Sequence, residues 1–397
     1  GNNAGCFTDT NMDLGVRLLD FNGDGLIDIF KASSNSEVPT QLAWKNNGFA
    51  NYLLDRIDLS LGGGISLSYQ KSTSLNNTGN DTQSDLDFNI WLVFNITKNN
   101  NVSGTQNTLS STVYNFSNGM YDYRDREFRG FSFADEKTGD KITQHRFYQD
   151  DARTGKEFKT EILDTNNNPY QTTERIWNST QQNNYYVVKL EQDSELTYDN
   201  VSANPRIKNG TYGYDGFGNI FYKHSLGDVN DSTDDKFEYY KYVNNTSAWI
   251  VNALINYSLV DSNNITLLKN SLYNYDNLAF GASPTKGEIT RKEDFLQGGS
   301  NPVMLYGYNS FGNLINSTDA NGKITKYSYG GRDTTNTFPD NATNAKNHVT
   351  NYFYDLGSGN LLAETDSNGF VKNYTYDELS IEKTAVLPLD TSALPTQ

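Results

Sequence analysis

Short stretches in which apolar and polar residues alternate, each bounded by Gly, Asn, Asp or Ser, recur along most of the chain. A period of two is the signature of strands with one buried face. Gly15-Val-Arg-Leu-Leu19 reads as a strand that runs into Asp20-Phe-Asn22-Gly-Asp24-Gly25-Leu-Ile-Asp28. A second strand spans Ile27 to Lys31, and the unit closes at Trp44-Lys-Asn-Asn-Gly48-Phe. Leu53 to Ser60 and Ile65 to Tyr69 read as strands around Gly62-Gly-Gly64. The polar tract Thr73 to Ser84 lacks core-forming residues and predicts a long exposed loop, after which Asp87 to Thr97 returns to strand. Thr112 to Phe133 is the densest aromatic segment. No pair of helix start and stop signals stands out. Aromatic and β-branched flanks favour strand for Ser232 to Tyr242, and Glu378 to Thr384 fits either state.

Two stretches near the C-terminal end are copies. Gly312-Asn313-Leu314, Thr318-Asp319, Asn321-Gly322, Tyr327 and Tyr329 recur 47 residues on as Gly359-Asn360-Leu361, Thr365-Asp366, Asn368-Gly369, Tyr374 and Tyr376. Each copy reads as a hairpin. Asn313 to Thr318 is one strand, Asp319-Ala-Asn321-Gly322 the turn, and Lys323 to Tyr329 the return. The Asn-Gly pair predicts a type I′ turn. Thr325, Tyr327 and Tyr329 then share one face, so stacked hairpins would align tyrosines in ladders. A weaker copy starts at Tyr212-Gly-Tyr214-Asp215-Gly-Phe-Gly218-Asn219-Ile220, and another Tyr-x-Tyr-Asp lies at Tyr273-Asn-Tyr275-Asp276. Repeats of this kind stack into a core that one unit could not bury alone.

Composition agrees with an all-β chain. Asn supplies 52 of 397 residues and Tyr plus Phe 48, the mix of many short strands joined by tight turns. The net charge of -16 argues against nucleic-acid or anionic-membrane partners and favours cations. Cys6 is the one cysteine, so no internal disulfide framework exists. No apolar run is long enough to span a membrane. The opening Gly1-Asn-Asn-Ala-Gly is expected to lie in mid-pattern, as in a fragment of something longer. Sixteen Asn-x-Ser/Thr sequons fit either an Asn-rich composition or a glycoprotein.

Tyr-x-Tyr-Asp/Asn followed by Gly-Asn-Leu, Thr-Asp-x-Asn-Gly and Tyr-x-Tyr resembles the YD repeat of Rhs proteins, teneurins and the B and C components of bacterial Tc toxins. The repeat positions are Tyr214, Gly218, Tyr308, Gly312, Asp319, Gly322, Tyr327, Tyr329, Tyr354, Gly359, Asp366, Gly369, Tyr374 and Tyr376. Tyr123-Arg-Asp-Arg126-Glu-Phe128-Arg-Gly130-Phe131 and Lys286-Gly-Glu-Ile-Thr-Arg291 resemble the Rhs and Tc-toxin B branch. Tyr376-Asp377-Glu-Leu resembles the start of a further unit, but carries Ser380-Ile381 where the family usually has Gly-Arg. The resemblance implies a β-sheet spiralling into a hollow shell around a C-terminal toxin. Neither a toxin nor a protease-like plug segment is recognisable in this sequence.

Asp20, Asn22 and Asp24 place side-chain oxygens at alternate positions, Gly25 permits a sharp bend, and Asp28 lies four residues beyond Asp24. Hard oxygen donors at this spacing suit Ca²⁺, with the Leu26 carbonyl as a further ligand. An EF-hand is excluded, because its twelfth position would be Lys31 and no helices flank the loop. The loop resembles the FG-GAP/VCBS repeat of β-propeller blades; the alternative is an Asx-turn without metal. His145, His224 and His348 lack Cys or Glu at ligand spacing, and Asp150-Asp151 and Asp234-Asp235 point apart as neighbours on a strand or turn. Nothing here predicts catalysis.

The expectation is therefore a non-enzymatic, all-β chain. An FG-GAP/VCBS-like propeller-blade piece at 1–50 leads into the β-rich start of a shell at 51–135. YD-repeat hairpins stacked in a spiralling sheet, a partial shell, follow at 136–397. Such a wall would enclose or display a toxin or effector cargo, or meet other segments of a longer chain, in an extracellular or cell-surface setting. The alternative is an adhesin that binds cell-surface glycans through its tyrosine rows.

Overall fold

The structure, a computed structural model, describes residues 8–9, 12–13, 15–33, 40–48, 53–59, 62–79, 81–100, 109–199, 204–391 and 393–394. Cys6 and the sequons at Asn80, Asn101 and Asn200 lie outside them. Among the described residues the one helical element is the single 3₁₀ turn Ser72–Ser74, and the chain is otherwise strands and turns. None of its helices is long and apolar enough to cross a membrane. Two compact units are present, residues 1–211 with 226–230, and residues 212–225 with 231–397.

In the first unit the short antiparallel pair Thr8–Asp9 and Met12–Asp13 is followed by a small antiparallel sheet of Val16–Leu19, Asp28–Ser33 and Thr40–Trp44. The third of these strands is not foreshadowed by the alternation. A longer antiparallel meander follows: Arg56–Asp58, Gly64–Lys71, Trp91–Asn99, Leu109–Asp122, Glu127–Thr138, Lys141–Phe147, Glu157–Leu163, Pro169–Gln182, Tyr185–Thr197 and Arg206–Tyr214. Each pairs with the next in sequence. The aromatic segment packs edge to face, as at Phe128 and Phe131, whose ring centroids lie 5.8 Å apart.

The tract at Thr73 to Ser84 is a largely exposed loop, as expected, with Asn77 as its buried exception among the described residues. Ser72 is fully buried and Asn77 almost so. The Asn77 Nδ2 donates to the Ser72 carbonyl at 2.8 Å, and its Oδ1 accepts from the Gly119 N–H at 2.9 Å. The Asn77 amide thus does what a neighbouring strand's backbone would do, and a polar tract becomes an anchored one. The strand expected over Leu53 to Ser60 is also shorter, Arg56–Asp58.

The second unit continues the same logic from Ile220–Leu226, Lys236–Asn245, Ile250–Val260 and Leu267–Tyr275 through Ile289–Asp294 and Val303–Tyr308. Leu314–Thr318, Ile324–Tyr329, Pro339–Thr343, Val349–Tyr354, Leu361–Thr365, Val371–Tyr376 and Glu382–Val386 complete it, again each antiparallel to the next. Strand therefore prevails near Ser232 to Tyr242. At Glu378 to Thr384 a turn gives way to a strand. Ala253, Ile255 and Tyr275 form the buried cluster of this unit, with Val243, Ile250, Tyr273 and Ile289 packed on it.

Candidate functional site

The recurring element is a turn, and its chemistry is carried by one side-chain oxygen. At Asp164, Asp215, Asn309, Asp319, Asn344, Asp366 and Asp377, the Oδ1 accepts the N–H groups two and four residues on. All fourteen distances are 2.8–3.0 Å. The backbone closes the same turn by a bond from the third following N–H to the first carbonyl, 2.9 Å at Gly322 and 3.0 Å at Gly369. That third residue has positive φ, 73° at Gly322 and 86° at Gly369, where glycine is unstrained.

Asn321 is not among the positive-φ residues, so the turn is not type I′. It is a type I turn followed by a left-handed residue, because the Asp319 carboxylate fixes the Asn321 and Lys323 N–H groups that flank Gly322. Asn167, Asn347 and Ser380 take the glycine's place elsewhere, with φ near 60°. The turn at Asp355 is one residue longer, closing from the Gly359 N–H at 2.8 Å. That extra residue is why Tyr308 and Tyr354 stand 46 apart while Gly312 and Gly359 stand 47 apart.

The tyrosines hold the hairpins across their width. The hydroxyl of Tyr329 donates to the Leu314 carbonyl at 3.2 Å, and that of Tyr376 to the Leu361 carbonyl at 2.9 Å. Tyr242 does the same to Ile220, at 3.1 Å. In all three cases the acceptor follows a Gly-Asn pair. Burial raises the hydroxyl pKa of Tyr329, with Tyr327 adding to it, and burial likewise raises Tyr376. Tyr308 donates to the Ile289 carbonyl at 3.0 Å, Tyr374 to the Glu364 carboxylate at 3.2 Å, and Tyr354 stacks on Phe338 at 4.8 Å. Tyr327 and Tyr329 also line an open groove of about 600 Å³ with Asn309, Ile315, Asn316 and Lys326.

Two motifs quoted separately in the sequence form one device. Asp276, the end of Tyr273-Asn-Tyr275-Asp276, accepts through its carboxylate from the N–H groups of Thr285 (2.6 Å), Lys286 (2.8 Å), Gly287 (3.4 Å) and Glu288 (2.9 Å). These donors open the Lys286-Gly-Glu-Ile-Thr-Arg291 motif. Burial opposes ionisation of Asp276, but the four N–H groups outweigh it and hold the carboxyl below its ordinary 3.8. Asp276→Ala is expected to destabilise the fold by about 2 kcal/mol, measured by urea denaturation. Because the folded-state pKa is depressed, this contribution is full above about pH 4 and lost as pH falls through the folded value. The gap between variant and parent should close over that acid window.

Arg129 sits inside the Tyr123–Phe131 motif, where nothing in the alternation singles it out from Arg124 and Arg126. It lies at the bulge between Phe128 and Phe131, beside Gly130 with φ 78°, and the bulge turns it inward. Its Nη2 meets Asp122 and Asp151 at 2.7 Å each and Asp125 at 3.1 Å, and Nη1 donates to the Gln149 carbonyl at 3.2 Å. Arg124 meets Asp125 and Asp151 from outside, at 3.0 and 3.1 Å. The three aspartates are close enough to hold a metal, but two guanidinium groups already pair with them and offset two of the three charges. A second cluster has Tyr240 and Tyr257 donating to Glu238 at 2.8 and 3.0 Å, with Lys223 at 3.2 Å. Burial, then Glu238, pushes the Tyr257 hydroxyl up to about 12.

In the oxygen-rich loop, Asp20 and Asn22 converge on the Asp24 N–H at 2.9 and 2.8 Å, and Asp20 also accepts from Gly25 at 2.7 Å. Asp24 accepts from the Leu26 N–H at 3.0 Å. Asp28 begins the next strand and accepts the Asn46 N–H at 2.7 Å. The histidines stay apart, with His145 on Glu157 at 2.6 Å and His224 stacked on Phe237 at 4.2 Å.

Comparison with known proteins fits this geometry. The profile of the insecticide toxin TcdB middle/N-terminal region matches residues 5–161, and the RHS repeat profile matches residues 308–334. Residues 5–161 are thus similar to the TcdB middle/N-terminal region, and residues 308–334 to an RHS repeat. Among solved structures, TcdB2-TccC3-TEV is similar with a TM-score of 0.61 and 13% identity, over 93% of this chain and 26% of that one. TcdB2-TccC3 gives 0.60 and 13%, over 94% and 26%. The Photorhabdus luminescens Tc holotoxin pore, with a TccC3 mutation, gives 0.61 and 13%, over 94% and 25%. The chain thus shares the fold of these structures and spans about a quarter of their length. Curated proteins give no match.

Proposed function

We propose that this chain is a stretch of the wall of a secreted, Tc-toxin-type shell that encloses or displays an effector cargo, and that its role is mechanical and not catalytic. The observation that carries the reading is the strict sequential pairing of hairpins in each unit, together with a Tc-toxin fold likeness over 93% of the chain. Polar side chains are spent on turns and cross-hairpin bonds, as a wall requires. Spending the Tyr329 and Tyr376 hydroxyls on backbone carbonyls weighs against the glycan-binding alternative.

The protein that carries this stretch should be co-expressed with an RHS-type partner bearing a protease-sensitive C-terminal segment. The expected result is one co-purifying complex in which that segment resists protease until the shell is denatured. Equal digestion with and without the shell protein would overturn the reading.

A further inference from the structure

We propose that one rim of the second unit's sheet, the end that carries the turns at Asp215, Asn309 and Asp377, docks a second copy of this chain about a two-fold axis at Phe311. Successive strands run antiparallel, so every other turn lies at the same end of the sheet, about 10 Å from the last. At this end six of the seven turns present an exposed apolar side chain. In chain order these are Phe217, Trp249, Phe280, Phe311, Leu356 and Leu379, between 45% and 80% exposed. At the opposite end the turns at Asp319 and Asn344 present none, which leaves Phe370 apart from Ile265 and Leu296. Trp249 also has φ 54°, a left-handed backbone that bulky residues avoid, and strain of this kind collects where a side chain must be presented.

The rim is tied together before any partner arrives. The Asn219 Nδ2 donates to the Val251 carbonyl at 2.7 Å, the Asn245 Nδ2 to the Pro284 carbonyl at 2.8 Å, and the Asn313 Nδ2 to the Asn336 carbonyl. Each bond runs from one rim turn to the next hairpin, so the tips need little ordering on association. The seventh turn, at 330–338, has a hollow in place of a knob. A cavity of about 380 Å³ opens there between the stacked rings of Phe338 and Tyr354, Leu356 and Arg332. The Asp333 and Asp340 carboxylates beside it are spent on backbone N–H groups. An apolar hollow edged by a guanidinium suits an aromatic ring. About an axis at Phe311 the turns pair by their distance from it. Phe280 of one copy then meets the hollow of the other, Trp249 meets Leu356, Phe217 meets Leu379, and Phe311 meets itself. The rim is self-complementary, as an isologous dimer requires. Its six tips expose roughly 800 Å², one partner's share of a stable interface. A lipid surface is the rival occupant, and the Asp215, Asp355 and Asp377 carboxylates at the feet of the tips weigh against it. A protein interface accommodates such groups at its margin.

Sedimentation velocity of the whole chain should show a reversible dimer with a dissociation constant on the order of 1–10 μM. Phe311→Asp sets two carboxylates against each other on the axis and should weaken the dimer roughly tenfold or more, with an unchanged urea midpoint. Ile265→Asp, at the opposite end, should leave it unchanged. With Cys6→Ser as the background, Phe311→Cys alone should give a disulfide-linked dimer under mild oxidation. Leu379→Cys should cross-link only when mixed with Phe217→Cys. The proposal is overturned by a chain that stays monomeric at about 100 μM, or by a dimer that ignores Phe311→Asp. Leu379→Cys cross-linking to itself as readily as to Phe217→Cys would overturn the two-fold pairing. A monomer that binds phosphatidylcholine vesicles, and loses them on Trp249→Ala, would make the rim a lipid-facing surface and overturn the dimer.

Discussion

Arg129→Ala should lower the stability of the first unit by about 3 kcal/mol, the lower end of the range for breaking a buried ion pair. The lower end applies because Asp125 and Asp151 are nearly half exposed, while the arginine side chain is only 2% exposed. The loss comes from three carboxylates that keep their mutual repulsion after their shared cation has gone. Urea unfolding followed by the fluorescence of Trp44, Trp91 and Trp177, all in that unit, reads the effect. Arg129→Lys should recover only part of it, because one ammonium cannot span the positions that a planar guanidinium reaches. The pH dependence follows from Asp122, whose carboxyl the Asp125 N–H and then, against burial, Arg124 and Arg129 hold below the usual range. The deficit of the alanine variant should be full above about pH 4 and shrink as acid protonates the cluster. A variant as stable as its parent at neutral pH would contradict the ion-pair account.

Ile255→Ala should cost about 3 kcal/mol in the second unit, and Ile255→Val about 1 kcal/mol. Ile255 is 2% exposed and lies between Ala253 and Tyr275. Tyr275 cannot move in to fill the gap without giving up its bond to the Leu254 carbonyl at 2.9 Å. Among the described residues few hydrophobic side chains are so completely covered, so this small cluster carries a large share of the apolar burial there. Hydrogen-exchange mass spectrometry over residues 250–275 should show faster opening in the alanine variant and an intermediate rate in the valine variant. Unchanged exchange there would mean that the cluster is not a core.

The hairpins of both copies are legible in the sequence because alternation and turn residues point the same way at Leu314–Thr318, Ile324–Tyr329 and their partners. The turn type is not legible from Asn321-Gly322 alone. The dipeptide suits type I′, but the residue that decides the geometry is Asp319, whose side chain captures the Asn321 and Lys323 N–H groups on either side of Gly322. Further copies of the turn escape notice because Asn167 and Asn347 stand where glycine is expected. Arg129 escapes for a different reason. Its partners lie 7, 4 and 22 residues away, and only the bulge at Gly130 brings them onto one guanidinium. At Asn77, polarity read as exposure, whereas a side-chain amide buried against backbone groups is as satisfied as a strand pair.

The spacing of the copies has an arithmetic consequence. Between Leu314 and Leu361 the chain makes four passes: Leu314–Thr318, Ile324–Tyr329, Pro339–Thr343 and Val349–Tyr354. An even number of passes returns the chain heading the way it set out, with its tyrosine face unchanged. Duplicating or deleting one such block is therefore parity-preserving. A gene could lengthen or shorten this sheet by whole blocks without turning any later strand inside out, whereas losing a single strand would reverse the direction of every strand that follows.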